Sequence, residues 1–89
     1  MKSKIFTLEN IIQTEGMMVI DWIYRIYEVY QNKGDSFIIY MDDKRWKELV
    51  LEDLRSNYGS SFGTFLIITK ITLERTKARE FIEIKRSHR

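Results

Sequence analysis

The sequence predicts a small α+β domain with the element order α-β-α-β-β, in which a three-stranded sheet carries two helices on one face. Two segments repeat apolar residues at helical spacing, and later segments show the alternation of strands. The chain has 89 residues, which is enough for one domain only. We therefore expect residues 1–89 to form a single α+β domain with a frayed tail at about 86–89.

The first helix is predicted over residues 9–31. Asn10 or Thr7 can cap its start, and Gly34 suits the left-handed position after its end. Gly16 falls inside the predicted helix. For residues 4–8 and 11–12, an extended conformation is the alternative prediction. The helical stripe repeats every three or four residues through Ile12, Gly16, Val19, Ile23, Ile26 and Tyr30.

A short strand and a second helix follow. Residues 36–41 are apolar on both faces, as in a buried strand, and Asp42 or Asp43 stands where a helix N-cap is expected. Gly59 ends the predicted helix. Its apolar face is Trp46, Leu49, Val50, Leu54 and Tyr58, and its solvent side is Glu48, Glu52 and Arg55.

The pattern of the last part of the chain predicts a β-hairpin. Residues 60–63 are interpreted as a loop, residues 64–75 as a long strand, and residues 80–85 as a final strand that pairs with it. The connection between these two strands lacks a glycine turn signature.

Composition excludes several classes of function. There is no cysteine, so disulfides and thiolate metal sites are absent, and the single histidine, His88, stands on the tail. No apolar run approaches the roughly 20 residues that span a bilayer. We expect a cytoplasmic protein that has no membrane contact, needs no cofactor or metal, and is not an enzyme.

Two motifs have a chemical and a structural interpretation. Tyr40 to Asp43 spell the tetrad found at the metal-binding turn of many reverse transcriptases, but a helix start follows here instead of a returning strand. We therefore expect helix capping from Asp42 or Asp43. The segment 59–64 has the composition of a phosphate loop, but it follows a helix and precedes a strand, so we expect a terminator and turn.

The C-terminal half is basic, with ten Lys and Arg against six Asp and Glu in residues 45–89. A basic hairpin can lie along phosphates, and Phe81 could stack on a base. Interleaved glutamates favour cross-strand ion pairs instead. Nucleic-acid binding is kept as the alternative function, with the candidate contacts Lys70, Arg75, Lys77, Arg79, Lys85 and Arg86.

The first helix has an apolar arc of roughly 200°, whereas packing on one sheet face uses about 100°. In one interpretation the helix is central, and the sheet on one flank and the second helix on the other cover most of this arc. In the other interpretation, part of the arc is an interface with another chain, because large exposed apolar patches are rare on monomers. We expect a non-enzymatic protein-interaction or regulatory protein, a homodimer through this helix that also binds another protein as its target. The composition is also typical of virus-encoded accessory proteins and inhibitors. The candidate interface residues are Met18, Trp22, Tyr24, Arg25 and Val29.

Overall fold

The computed structural model describes residues 3–32, 34–55 and 60–86. These residues form four strands and three helices. In chain order the elements are β1 (Ser3–Thr7), α1 (Val19–Tyr30), β2 (Ser36–Met41), α2 (Asp43–Arg55), α3 (Ser60–Thr69), β3 (Ile71–Arg75) and β4 (Phe81–Lys85). The predicted class, a small α+β fold, is confirmed, but the predicted element order and the three-stranded sheet are wrong in detail.

The four strands form one sheet in the order β1-β4-β2-β3. β2 and β3 are parallel, whereas β4 runs antiparallel to both β1 and β2. The predicted hairpin of the last two strands is therefore wrong, because β2 lies between β3 and β4. β1 falls in the segment for which an extended conformation was the alternative, and its pairing with β4 joins the two ends of the chain.

The predicted strand over residues 64–75 is instead the helix α3 followed by β3. A run that is apolar on all sides fits either a buried strand or a helix, so its period does not decide between them. The chain turns at Lys70, which has a φ of 59° in the left-handed region. The amide of Lys70 donates to Ile67 O at 3.2 Å, and its carbonyl accepts from Phe37 N at 2.9 Å, which starts β3 beside β2.

α1 begins at Val19 and not at residue 9. The preceding segment is a loop held to the core by Leu8 and Ile11, both buried. Gly16 lies in this loop with a φ of 85°, a conformation that favours glycine, so it is not a helix-interior residue as predicted. Gly34 has a φ of 87° after α1, as predicted.

The core lies on one face of the sheet. Alternate strand residues point into it, and α1 supplies its centre, with Trp22 fully buried and its Nε1–H donating to Ile11 O at 2.6 Å. The helices therefore pack on this face. The buried apolar residues are Leu8, Ile11, Val19, Ile20, Trp22, Ile23, Ile26, Phe37, Ile39, Met41, Leu49, Phe62, Ile71, Ile82 and Ile84.

α2 begins as predicted, because Asp42 Oδ1 accepts a hydrogen bond from Arg45 N at 2.8 Å. Its predicted orientation is only partly right. Val50 and Leu54 are exposed, whereas the carboxylate of Glu52 turns inward and accepts hydrogen bonds from the amides at the start of α1. The predicted roles of Tyr58 and Gly59 lie outside the described residues, as does the tail with His88.

Candidate interaction surfaces

The predicted α1 interface is mostly covered by the chain itself. Trp22 is enclosed in the core, so a partner cannot reach it in this fold. Tyr24 is half-buried and packs edge-on against Phe65, with ring centroids 4.4 Å apart. Met18 is half-buried at the N-cap position, and Arg25 is exposed. These five predicted residues therefore do not form one outward apolar patch.

The apolar arc of α1 is absorbed by packing on several sides. Val19, Ile20, Ile23 and Ile26 are buried, and the half-buried tyrosines of the helix contact rings of α3 and β2. Val29, at 54% exposure, is the large apolar side chain that α1 leaves outside. The sheet and α3 thus cover the arc that predicted an interface here.

Exposed apolar side chains are concentrated instead on α2 and α3. Leu54, Ile67 and Ile68 are the most open, at 75%, 78% and 73% exposure. The α2–α3 surface is defined here by Val50, Leu54 and Ile67, whereas Ile68 borders a separate cavity with Tyr27 and Phe37 on the other side of α3. The sequence pattern alone does not predict this surface, because the apolar residues of α3 are distributed around the whole helix and fit a buried strand equally well.

A groove of about 400 Å³ runs between the two helices within this surface. A β-carbon placed on Gly63 would meet no atom within 4 Å, so the groove is open at α3. Asp53 is its single charged lining residue among those described. The complete lining is Leu49, Val50, Asp53, Leu54, Phe62, Gly63 and Leu66.

The rotation of α2 explains why its apolar stripe faces outward. Glu52 Oε2 and Oε1 accept hydrogen bonds from Val19 N at 2.6 Å and Ile20 N at 3.0 Å. A carboxylate at this position satisfies two amides of α1 and favours the positive end of its dipole. Because Glu52 must face α1, Val50 and Leu54 turn toward solvent.

A second inward contact of α2 is made by Arg45. Its guanidinium lies 3.7 Å from the centre of the Trp22 ring and forms an ion pair with Glu80. Arg45 Nε also donates to Gln13 Oε1 at 3.1 Å, and Glu80 accepts from Asp42 N at 3.0 Å. This cluster ties the loop before α1, the start of α2 and the segment before β4 together, which is a structural role.

The predicted nucleic-acid contacts lie in two groups. Arg75 pairs with Met41 at one end of the sheet, whereas Lys85 pairs with Ser36 at the other. Lys77 and Arg79 follow Arg75, and Lys70 and Arg86 lie at the end with Lys85. Because β2 separates β3 from β4, these six residues do not share the one hairpin that the prediction assumed.

Two of the basic side chains already have acidic partners. Arg75 lies 3.9 Å from Asp43 and above the Trp46 ring, 5.8 Å from its centre. Arg79 forms an ion pair with Glu9 at 2.7 Å. Neither contact joins two strands, because Asp43 belongs to α2 and Glu9 to the loop after β1, so these are not the predicted cross-strand pairs with the interleaved glutamates.

The face of the sheet opposite the helices is open. Its central strands carry Tyr40 and Phe81, whose rings stack with centroids 4.2 Å apart and planes 15° apart. Burial raises the pKa of Tyr40, the charges of Glu83 and Glu74 raise it further, and its hydroxyl hydrogen bonds to Glu83. Sequence reasoning considered Phe81 alone, because its pairing with Tyr40 depends on the strand order.

Within the described ranges, no group of three or more His, Cys, Asp or Glu side chains is placed to hold a metal ion. Asp42 is used as the cap of α2, and Asp43 lies near Arg75. No helix among the described residues is long and apolar enough to cross a membrane. Comparison with protein-family models, curated proteins and solved structures finds no match to this chain.

Proposed function

We propose that this chain is a non-enzymatic protein-interaction module that self-associates through the α2–α3 surface. The observation that carries the proposal is the group of three exposed large apolar side chains, Val50, Leu54 and Ile67, on two helices that share an apolar groove. Such surfaces are typical of association sites. The proposal keeps the expected self-association but assigns it to α2 and α3, since α1 leaves Val29 alone outside.

The size of the surface supports a second copy as its occupant in a weak dimer. Fully burying one Val, Leu or Ile side chain contributes about 1.5–3 kcal/mol. The three exposed side chains amount to roughly two fully exposed ones, so two protomers together gain about 6–12 kcal/mol. Association costs about 4–15 kcal/mol, a range that overlaps this gain, so we expect a weak dimer whose population depends on concentration.

Two-fold symmetry makes the charges of this surface compatible with self-association. Lys47 and Asp53 are exposed on α2 on either side of Val50 and Leu51. When two α2 helices pack antiparallel across a two-fold axis, Lys47 of one approaches Asp53 of the other. Opposite charges at the rim then favour this arrangement over the parallel one.

The experiment measures molar mass by light scattering or sedimentation over a dilution series through the micromolar range. We expect the mass to rise from 10.8 kDa toward twice that value as concentration increases. Leu54→Lys and Ile67→Lys place a charge on the surface at exposed positions and should each abolish the rise. Ile12→Lys, at an exposed isoleucine in the loop before α1, is the matched control.

Three results would contradict the proposal. The wild-type chain could stay monomeric at the highest soluble concentration. The control could lose association as fully as the two surface variants. Finally, Val29→Lys could dissociate the dimer while Leu54→Lys does not, which would return the interface to α1. Circular dichroism of each variant verifies that the fold is retained.

A further inference from the structure

The second surface of interest is the open face of the sheet, on the side away from the helices. Its side chains alternate with those of the core, and none of the described residues on it is buried. An antiparallel or mixed sheet can keep one face in water, but that face is then normally polar. Here it carries Ile5, Ile38, Tyr40 and Phe81.

The stacked pair Tyr40–Phe81 leaves one face of each ring available. The registers place Thr7, Phe81, Tyr40 and Glu74 in one row across the four strands. Since the two rings cover each other, the free face of Tyr40 looks toward Glu74 on β3. The free face of Phe81 looks toward the small side chain of Thr7 on β1.

Two carboxylates border this pair. Glu74 stands beside Tyr40 on β3, and Glu83 stands in the next row between Ile5 and Ile38. Glu83 is half-buried and is hydrogen bonded to the Tyr40 hydroxyl. Among the described residues, neither carboxylate forms an ion pair with a lysine or arginine. Glu74 and Glu83 therefore retain negative charge that a ligand can compensate.

We propose that this face binds an arginine side chain of a partner protein. An aromatic ring attracts a cation to its face, and a guanidinium can stack on the ring while it donates hydrogen bonds to a carboxylate in the same plane. The arginine stacks on the free face of Tyr40 and donates to Glu74 or Glu83. A phosphate backbone at the same place meets two like charges and is disfavoured.

Basic residues lie at both ends of this face of the sheet. Lys85 is exposed two residues after Glu83 on β4, in the row between Ser3 and Ser36. At the other end, Lys77 is exposed after β3, while Arg79 is paired with Glu9. The site of the guanidinium is therefore set by its contacts with Tyr40 and the carboxylates and not by a one-sided positive field. This site faces away from the α2–α3 surface, so the proposal stands whether or not the chain dimerises.

The test titrates the full chain with a short glycine-arginine peptide and, in parallel, with the same peptide carrying citrulline, which has the shape of arginine without its charge. Amide chemical shifts locate the binding. We expect the arginine peptide alone to shift the signals of β2, β3 and β4 around Tyr40. Tyr40→Leu should weaken binding about two- to five-fold, as the loss of one exposed cation–π contact does.

Glu74→Gln tests the charge at an exposed position, so it remains informative if Tyr40→Leu alters the sheet. Glu28→Gln, on the exposed side of α1, is the matched control. We expect weaker binding for Glu74→Gln and unchanged binding for Glu28→Gln. Equal shifts with the citrulline peptide, or an equal loss from the control, would overturn the proposal. Tighter binding of a single-stranded uridine oligonucleotide at the same signals would replace it with a nucleic-acid site. Leu54→Lys should bind the arginine peptide as the wild type does.

Discussion

Replacing Glu52 with alanine is expected to lower the free energy of unfolding by about 2 kcal/mol. The carboxylate accepts hydrogen bonds from Val19 N at 2.6 Å and Ile20 N at 3.0 Å, and the N-cap residue Met18 makes no side-chain capping bond of its own. Loss of an N-cap side chain costs about 0.5–2 kcal/mol. Loss of a negative charge at the positive end of the helix adds about 0.3–1 kcal/mol.

The gain in helix propensity on α2 offsets a few tenths of a kcal/mol of this loss. Glu48→Ala measures that offset, because Glu48 lies one turn earlier on the same helix and makes no hydrogen bond or ion pair with the described residues. Glu52→Gln keeps one acceptor oxygen without the charge and should lie between the alanine variant and the wild type.

The measurement is urea unfolding followed by tryptophan fluorescence, to which the buried Trp22 contributes. The Glu52→Ala midpoint should fall well below that of Glu48→Ala, with an unchanged slope. Equal midpoints for the two alanine variants would show that the carboxylate does not stabilise α1, and the account of how α2 is oriented would be refuted.

The other predictions concern single positions. Asp42→Ala should lower the free energy of unfolding by about 1 kcal/mol. Asp42→Asn should keep most of this capping contribution, since asparagine also caps helices, and urea unfolding distinguishes the two variants. Lys70→Gly should raise the free energy of unfolding by about 0.5–1 kcal/mol, because its φ of 59° is strained for lysine and not for glycine; a lower midpoint would contradict this. The pKa of Tyr40 is raised by burial and then by neighbouring glutamates. The folded state therefore binds the proton of Tyr40 more tightly than the unfolded state does. The stability that this difference contributes is fully present below the unfolded pKa of about 10 and is lost as the pH rises through the folded pKa. Phenolate absorbance should show a late-titrating group that Tyr40→Phe removes and that Glu83→Gln shifts to lower pH.

Local signals predicted the middle of the fold. The strand at Ser36–Met41 is a short apolar run bounded by Gly34 and an aspartate, and the start of α2 follows from Asp42. Each of these signals depends on residues that are neighbours in sequence, so tertiary contacts do not change them.

The first strand and the third helix needed information that is distant in the sequence. β1 forms by pairing with β4, at the other end of the chain, and its burial alone would not identify it because all five residues are exposed. α3 is fixed as a helix by ring contacts of Phe62 and Phe65 with Tyr24 and by the turn at Lys70. These interactions override a local pattern that suits a strand equally well.

The interface prediction assumed that the apolar surface exceeds what the fold can bury, and the proposal above moves that interface from α1 to α2 and α3. Hydropathy placed Glu52 on the solvent side of α2, since a glutamate is seldom buried without a partner. The amides of Val19 and Ile20 are that partner, and they belong to another helix. The exposed apolar stripe on α2 is therefore a consequence of the inward position of Glu52, which is half-buried and caps α1.

The same contacts determine which side of α2 the fold requires to be polar. Rotating α2 to bury Leu54 would gain about 1–2 kcal/mol from its exposed fraction, but it would remove Glu52 from the start of α1 and Arg45 from Trp22. The lost capping and ion-pair contacts are worth more than that gain. The intramolecular packing thus requires the inward side of α2 to be polar, but it places no requirement for leucine or isoleucine on the outward side. Leu54 and Ile67 are largely exposed in the monomer, and the dimer proposed above would give these apolar side chains a physical role by burying them against a second copy of the chain.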